Sequence, residues 1–196
     1  MLIEEVIAQQ KKTALLFLDM EFTNIHDEHN GAWEIGYILD VDGTIIAQEN
    51  CYLRHSGNPS DWVLKNTLYK KVFKDGMSVT TSMNEVLLQL QETLSKINLE
   101  EYDIVVIGAS VEGDFKYLTE QTKRHNIILP LHWRVLDVSN IFLGYMWAKG
   151  EQLNAPIAVI KMLRILGLKS TGKRHTVNTD NEDLRNIYYV LKGHVF

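Results

Sequence analysis

The apolar residues of this chain come in short runs. The longest, Ala14–Leu18 and Ile104–Ala109, have the length of buried strands and are far too short to cross a bilayer. Thr13–Phe17 reads as a strand that runs into Asp19, and Trp33–Leu39 and Thr44–Leu53 read as two more. Between these two, Asp42-Gly43 supplies the positive φ angles of a tight hairpin turn, so the three strands predict an antiparallel meander. Arg54–Thr81 is loop-rich, with Gly57, Pro59 and Gly76. The period then becomes helical. Ser82 and Glu85 form a capping box ahead of an apolar stripe at Val86, Leu87, Leu90, Leu94 and Ile97.

Ile104–Ile107 predicts a buried strand, followed by a helix from about Gly113 to His125. Trp133–Leu136 is a fifth strand, and Ser139–Lys149 a helix that Gly150 stops. Asn154 is placed to cap a helix with Pro156 in its first turn and Gly167 at its end. Thr179 and Glu182 form a second capping box, opening a last helix that ends near Lys192. Three antiparallel strands followed by strand–helix–strand–helix crossovers predict one α/β domain over residues 1–196, without repeats or a linker.

Composition changes this picture little. A chain of 196 residues, 45% hydrophobic and 23% charged, has the make-up of a soluble globular protein with a sizeable core. The N-terminal Met1-Leu2-Ile3-Glu4-Glu5 lacks the basic start of a secretory signal, and the lone Cys51 fits a reducing compartment; both predict a cytoplasmic protein. A net charge of −5 argues weakly against tight, non-specific nucleic-acid binding. Acids gathered around cations would contribute to that charge, so it does not decide the matter.

Candidate chemistry lies in a few carboxylates and one histidine. Asp19 and Glu21, two apart on a strand, point to one face. Acids so placed repel unless a cation lies between them, and their hard oxygens suit Mg²⁺ or Mn²⁺. Alone the pair reads as surface; its setting after a buried run makes it unusual. Asp114, at the start of a helix that follows a buried strand, fits either the helix dipole or a third metal ligand. Asp180 falls in another first turn. His175 lies in the loop before it; such a histidine is ordinarily just solvated, but beside metals it is suited to take a proton from water. Two metals would lower the pKa of that water and hold the attacking and leaving oxygens ~3.5–4 Å apart.

Asp19-x-Glu21, Asp114 and His175-x4-Asp180, in this order and on these elements, resemble the DEDDh branch of the DEDD exonucleases. Thr23, Trp33-Glu34-Ile35-Gly36 and Trp133-x3-Asp137 extend the likeness over nearly the whole chain. The resemblance implies a ribonuclease H-like α/β fold with a five-stranded mixed sheet flanked by helices. It also implies release of nucleoside 5′-monophosphates from the 3′ end of single-stranded RNA or DNA, with two Mg²⁺ or Mn²⁺ ions. Asp19, Glu21, Asp114 and Asp180 would be ligands and His175 the general base. Thr23 and the backbone at Met20 and Phe22 would hold the terminal nucleotide, with Phe22 stacking on its base. Homodimers are frequent among such proteins. A proofreading or end-trimming subunit and a non-catalytic nucleic-acid-binding protein are the competing readings. The chain departs from the family pattern at Ser110, Gly113 and Asn181.

Other signals carry less. Residues 167–173 approach a Walker A loop, but Arg174 replaces its Ser/Thr and a helix rather than a strand precedes it. A basic loop is the better reading, in which Lys169, Lys173 and Arg174 reach substrate phosphates. Asp40-x-Asp42-Gly43 lacks the later ligands of a calcium loop. His26 and His29 suggest a polar loop more than a metal site. The lysines from Lys65 to Lys74, with Tyr69 and Phe73, read as a solvated helix face or a guide for a single strand. Tyr145 and Trp147 read as core or dimer surface.

Overall fold

The computed structural model describes residues 10–24, 31–75, 79–153, 155–173 and 175–195. Six strands form one sheet: β1 (Lys12–Phe22), β2 (Ala32–Val41), β3 (Thr44–Leu53), β4 (Thr80–Thr81), β5 (Tyr102–Gly108) and β6 (Leu131–Asp137). Their order is β4-β3-β2-β1-β5-β6. β1–β3 form the predicted antiparallel meander, and β5 and β6 add in parallel on the other side of β1. The sixth strand is the two-residue β4, parallel to β3. It is too short to leave a hydrophobic period, which is why the sequence predicts five. At the β2–β3 turn Asp42 and Gly43 both have positive φ, at 52° and 87°, as the hairpin requires.

The helices are α1 (Asp61–Asn66), α2 (Met83–Leu94), α3 (Glu112–His125), α4 (Val138–Ala148), α5 (Val159–Ile165) and α6 (Val177–Val195). The capping box predicted at Ser82 and Glu85 is formed at the start of α2. The Thr179–Glu182 box is not. α6 begins earlier, so Thr179 lies inside it, where its hydroxyl accepts from the Thr176 hydroxyl, while Glu182 accepts from Gln48. α5 starts at Val159, beyond Pro156, and Asn154 lies outside the described residues, as do Gly76, His26, His29 and Arg174.

The strand period sorts the core onto two sides. Ala14, Leu16, Leu18 and Met20 of β1 pack with Val86, Leu90 and Leu94 of α2 and Leu118 of α3. Leu15 and Phe17 face the other way, onto Phe142 of α4, Met162 of α5 and Leu184, Ile187 and Leu191 of α6. Each of these side chains larger than alanine contributes about 1.5–3 kcal/mol of burial free energy. Alternation continued along β1 gives Asp19 and Glu21 the α6 face, and Met20 and Phe22 the α3 face.

The region predicted as loop is tied down by aromatic packing. Trp33, fully buried, packs with Val63 of α1 and Tyr69, while Tyr52 and Phe73 lie against this cluster. The rings of Tyr69 and Phe73 are therefore turned inward, and Val72 between them is buried. Only the lysines of Lys70–Lys74, a single π-helical turn, face solvent.

Candidate active site

Asp19 and Glu21 lie inside β1, which runs five residues beyond the predicted Phe17. The β1–β2 register shifts between Glu21 and Phe22, so the ladder changes pairing right after the second acid. α6 approaches from the covered face because β2 allows it to. A Cβ on Gly36 would sit 2.4 Å from a Val177 methyl, a distance only glycine permits. Asp40, two strand positions further on that face, accepts hydrogen bonds from Arg185 Nε at 2.7 Å and the Tyr189 hydroxyl at 2.6 Å. α6 is thus fastened along its length, with Asp180 in its first turn.

His175 sits just ahead of α6 with φ of 60°, a left-handed conformation that turns the chain sharply. The loop before it is held by Asp183, which accepts from the Ser170 hydroxyl at 2.6 Å and the Thr171 amide at 2.8 Å. Gly172 lies so close to Thr179 that a Cβ there would meet its hydroxyl at 2.8 Å. The glycine-rich run is therefore a strap across the first turns of α6.

Ligand atoms of Glu21, His175 and Asp180 lie within 4.8 Å of one another, a grouping that could hold a metal ion. Asp19 is surrounded by the same charges. Burial, then the carboxylates of Asp114, Asp180, Glu21 and Glu34, push it well above the ordinary carboxylate range. Burial, followed by Glu21, raises Asp114 to about 7. Glu34, fully buried on β2, rises to about 8 mainly through burial, opposed by a hydrogen bond from Asn50 Nδ2 at 3.0 Å. Buried carboxylates crowded this closely are stable as anions only with cations among them. Hard oxygens with one imidazole suit a divalent ion, so the donor set of Glu21, His175 and Asp180 fits a metal of that kind.

Asp114 lies in the first turn of α3, outside the Glu21–His175–Asp180 grouping, and its carboxylate acts on Asp19 through charge. The turn leading to it is set by Asp137. One of its oxygens caps α4 by accepting from the Ser139 amide at 2.7 Å, and the other accepts from the Ser110 amide at 3.1 Å. Asn181, beside Asp180, is buried, and its side-chain amide has no hydrogen-bond partner among the described residues.

Two clefts adjoin the carboxylates. One, of about 510 Å³, is lined by Met20, Glu21, Phe22, Ser60, Trp62 and Val63. The other, of about 530 Å³, lies on the Asp114 side and includes Met20, Phe22, Ser110, Gly113 and Tyr117. Thr23 is buried rather than facing a cleft. Its hydroxyl accepts from the Gly31 amide, and its carbonyl accepts from the Ser60 amide, which joins α1 to the end of β1. Trp62 is the residue the sequence reading missed. It is 52% exposed, and the His175 ring meets it edge-on at 5.0 Å. Its one sequence signal is a large aromatic directly after Ser60-Asp61, a helix start that the loop-rich reading of the region did not place.

Neither a family model nor a curated protein sequence matches this chain. Solved structures do. The nuclease domain of 3′hExo, a DEDDh family member bound to rAMP, is 17% identical, with a TM-score of 0.70 over 94% of each chain. Cell-death related nuclease 4 (CRN-4) is 20% identical at a TM-score of 0.74, over 94% of this chain and 65% of its own length. Exonuclease I is 12% identical at 0.71, over 93% of this chain and 41% of its own. This protein spans less than two thirds of the last two. The chain has the fold of the DEDDh 3′-exonucleases, and its five candidate residues lie on β1, on α3 and around the start of α6 of that fold.

Proposed function

We propose that this protein is a metal-dependent 3′→5′ exonuclease acting on single-stranded RNA or DNA. The observation that carries the reading is the convergence of Glu21, His175 and Asp180 within 4.8 Å, with Asp19 and Asp114 coupled to them through buried charge. Asp19, Glu21, Asp114 and Asp180 would hold two Mg²⁺ or Mn²⁺ ions, which when bound lower the pKa of a water and neutralise charge on the phosphate.

The chain's own groups do the rest. Met20, Phe22 and Trp62 border a cleft that takes the terminal nucleoside, with aromatic surface for its base. Thr23 holds that cleft together through its bond to Ser60. His175, steadied by Trp62 and by the Asp183-anchored strap, accepts the water's proton at an imidazole nitrogen. The water oxygen bonds to phosphorus, and the bond from phosphorus to the 3′ oxygen of the preceding nucleotide breaks with its electron pair on that oxygen. That oxygen takes a proton from solvent to become the new 3′-hydroxyl, and a nucleoside 5′-monophosphate leaves. Lys169 and Lys173 flank the strap and meet phosphates, a role that extends to Arg174 next to His175.

Asp19→Ala is the direct test. The variant is expected to lose ~10²–10³-fold in kcat on a 5′-labelled single strand, the scale of a charge-stabilising group's removal. Wild-type protein is expected to shorten that strand stepwise from its 3′ end, and EDTA to stop it. Equal degradation by both proteins would overturn the reading.

A further inference from the structure

The cleft on the Asp114 side does not end near the carboxylates. It shares Tyr117 and Glu120 with a larger cleft of about 750 Å³, which adds Arg54, His55, Gln121 and Arg124. The connection is helical. Asp114, Tyr117, Gln121 and Arg124 are spaced three and four apart, so they line one face of α3, roughly 15 Å from the acid to the arginine. The face begins at the proposed metal site and ends in positive charge. That length matches roughly four stacked nucleotides.

We propose that this face of α3 floors a groove for the single strand entering the carboxylate cluster, so that the protein reads several nucleotides upstream of the bond it cuts. The inference rests on the phosphodiesterase reading of the site. The two clefts adjoin that site, one lined by Glu21 and one by Asp114, and they share Met20 and Phe22 as a common border. A strand with its terminal nucleoside in the Trp62 cleft has that shared border as a route out over Asp114. Tyr117 stands at the junction of the connected clefts with its ring fixed. Phe22 meets it edge-on at 5.2 Å, and its hydroxyl accepts from the Ala32 amide at 3.4 Å. A fixed aromatic at a junction suits a stacked base.

Charge along the groove is mixed. Lys116 and Arg124 are exposed, and Arg124 forms no ion pair among the described residues. Arg54 is shared with Glu85 at 3.2 Å. Glu120, between Lys116 and Arg124, opposes phosphate. That opposition gives the test two signs.

Binding of a 5′-fluorescein octanucleotide and of the corresponding dinucleotide is measured by anisotropy, using full-length Asp19→Asn protein with Mg²⁺ to prevent turnover. Arg124→Glu is expected to weaken the octanucleotide about tenfold relative to the dinucleotide, and Glu120→Lys to tighten it about threefold. Loss of folding could not produce the second change. Equal octanucleotide affinity in Arg124→Glu, or equal losses on both lengths, would overturn the groove. Turnover by wild-type protein is read separately: absence of cleavage with the length effect intact would sink the exonuclease reading and leave the groove standing.

Discussion

Trp62 joins two jobs in one side chain, a wall of the proposed nucleoside cleft and an edge contact to His175. At this scale the two can be separated. Trp62→Phe keeps an aromatic surface, whereas Trp62→Ala removes both it and the steadying contact. Loss of a stacked base corresponds to about 1–3 kcal/mol. Trp62→Ala is therefore expected to raise KM for a single strand roughly tenfold or more and to lower kcat as His175 loosens; the phenylalanine variant should recover most of the kcat. Steady-state kinetics on a labelled oligonucleotide decides it, and an alanine variant with unchanged KM would remove Trp62 from the substrate cleft. The Asp183 carboxylate is of a different kind. It accepts from the Ser170 hydroxyl and the Thr171 amide, and through them it holds residues 170–171 in place.

Elements meet most tightly where α6 crosses β2. Gly36 is the point of closest approach, and Val177, the first residue of α6, fills the space a side chain would need. Gly36→Ala has to push the start of α6 outward, moving Asp180 and His175 relative to Asp19 and Glu21. Overpacking of this kind destabilises by about 1–3 kcal/mol. A misplacement of ~1 Å at reacting groups costs about 100-fold in rate. The expected outcome is a folded protein with a modestly lower Tm and at least tenfold lower kcat. Wild-type turnover in that variant would mean the α6–β2 spacing does not set the site. The same strand holds Glu34 and Asp40 on the α6 face, so β2 supports the cluster from below at one end and anchors the helix at the other.

For the whole molecule, the carboxylate group is a stored liability. Asp114 at about 7 and Glu34 at about 8 lie above their unfolded values near ~3.9 and ~4.3. The folded state therefore keeps protons that the unfolded chain has already released. Between about pH 4 and pH 8 this makes metal-free stability fall as pH rises, and the penalty is fully present only above the folded values. Bound cations would favour the ionised forms and reverse the trend. Thermal melts in EDTA are expected to give a lower Tm at pH 8 than at pH 5.5, and Mn²⁺ to raise Tm more at pH 8. A metal-free Tm that rises steadily to pH 8 would contradict this assignment of buried charge. No helix among the described residues is long and apolar enough to cross a membrane, in line with the short apolar runs.

The sequence by itself determined the strand meander, the Asp42-Gly43 turn and the Ser82 cap, and it nominated the five candidate residues. Each depends on local chemistry: a period of two, a positive φ, a side chain that caps a backbone amide. It did not determine β4, the true start of α6 or the order around the helix of Trp62. β4 exists through pairing with β3, and α1 is held by Trp33 packing on Val63, contacts between residues distant in the chain. Thr176 and the strap, not the Thr179–Glu182 pair, set where α6 begins. Only the tertiary structure could bring Asp114 beside Asp19 or connect the face of α3 to the carboxylates, because proximity across strands is fixed by packing and leaves no local pattern.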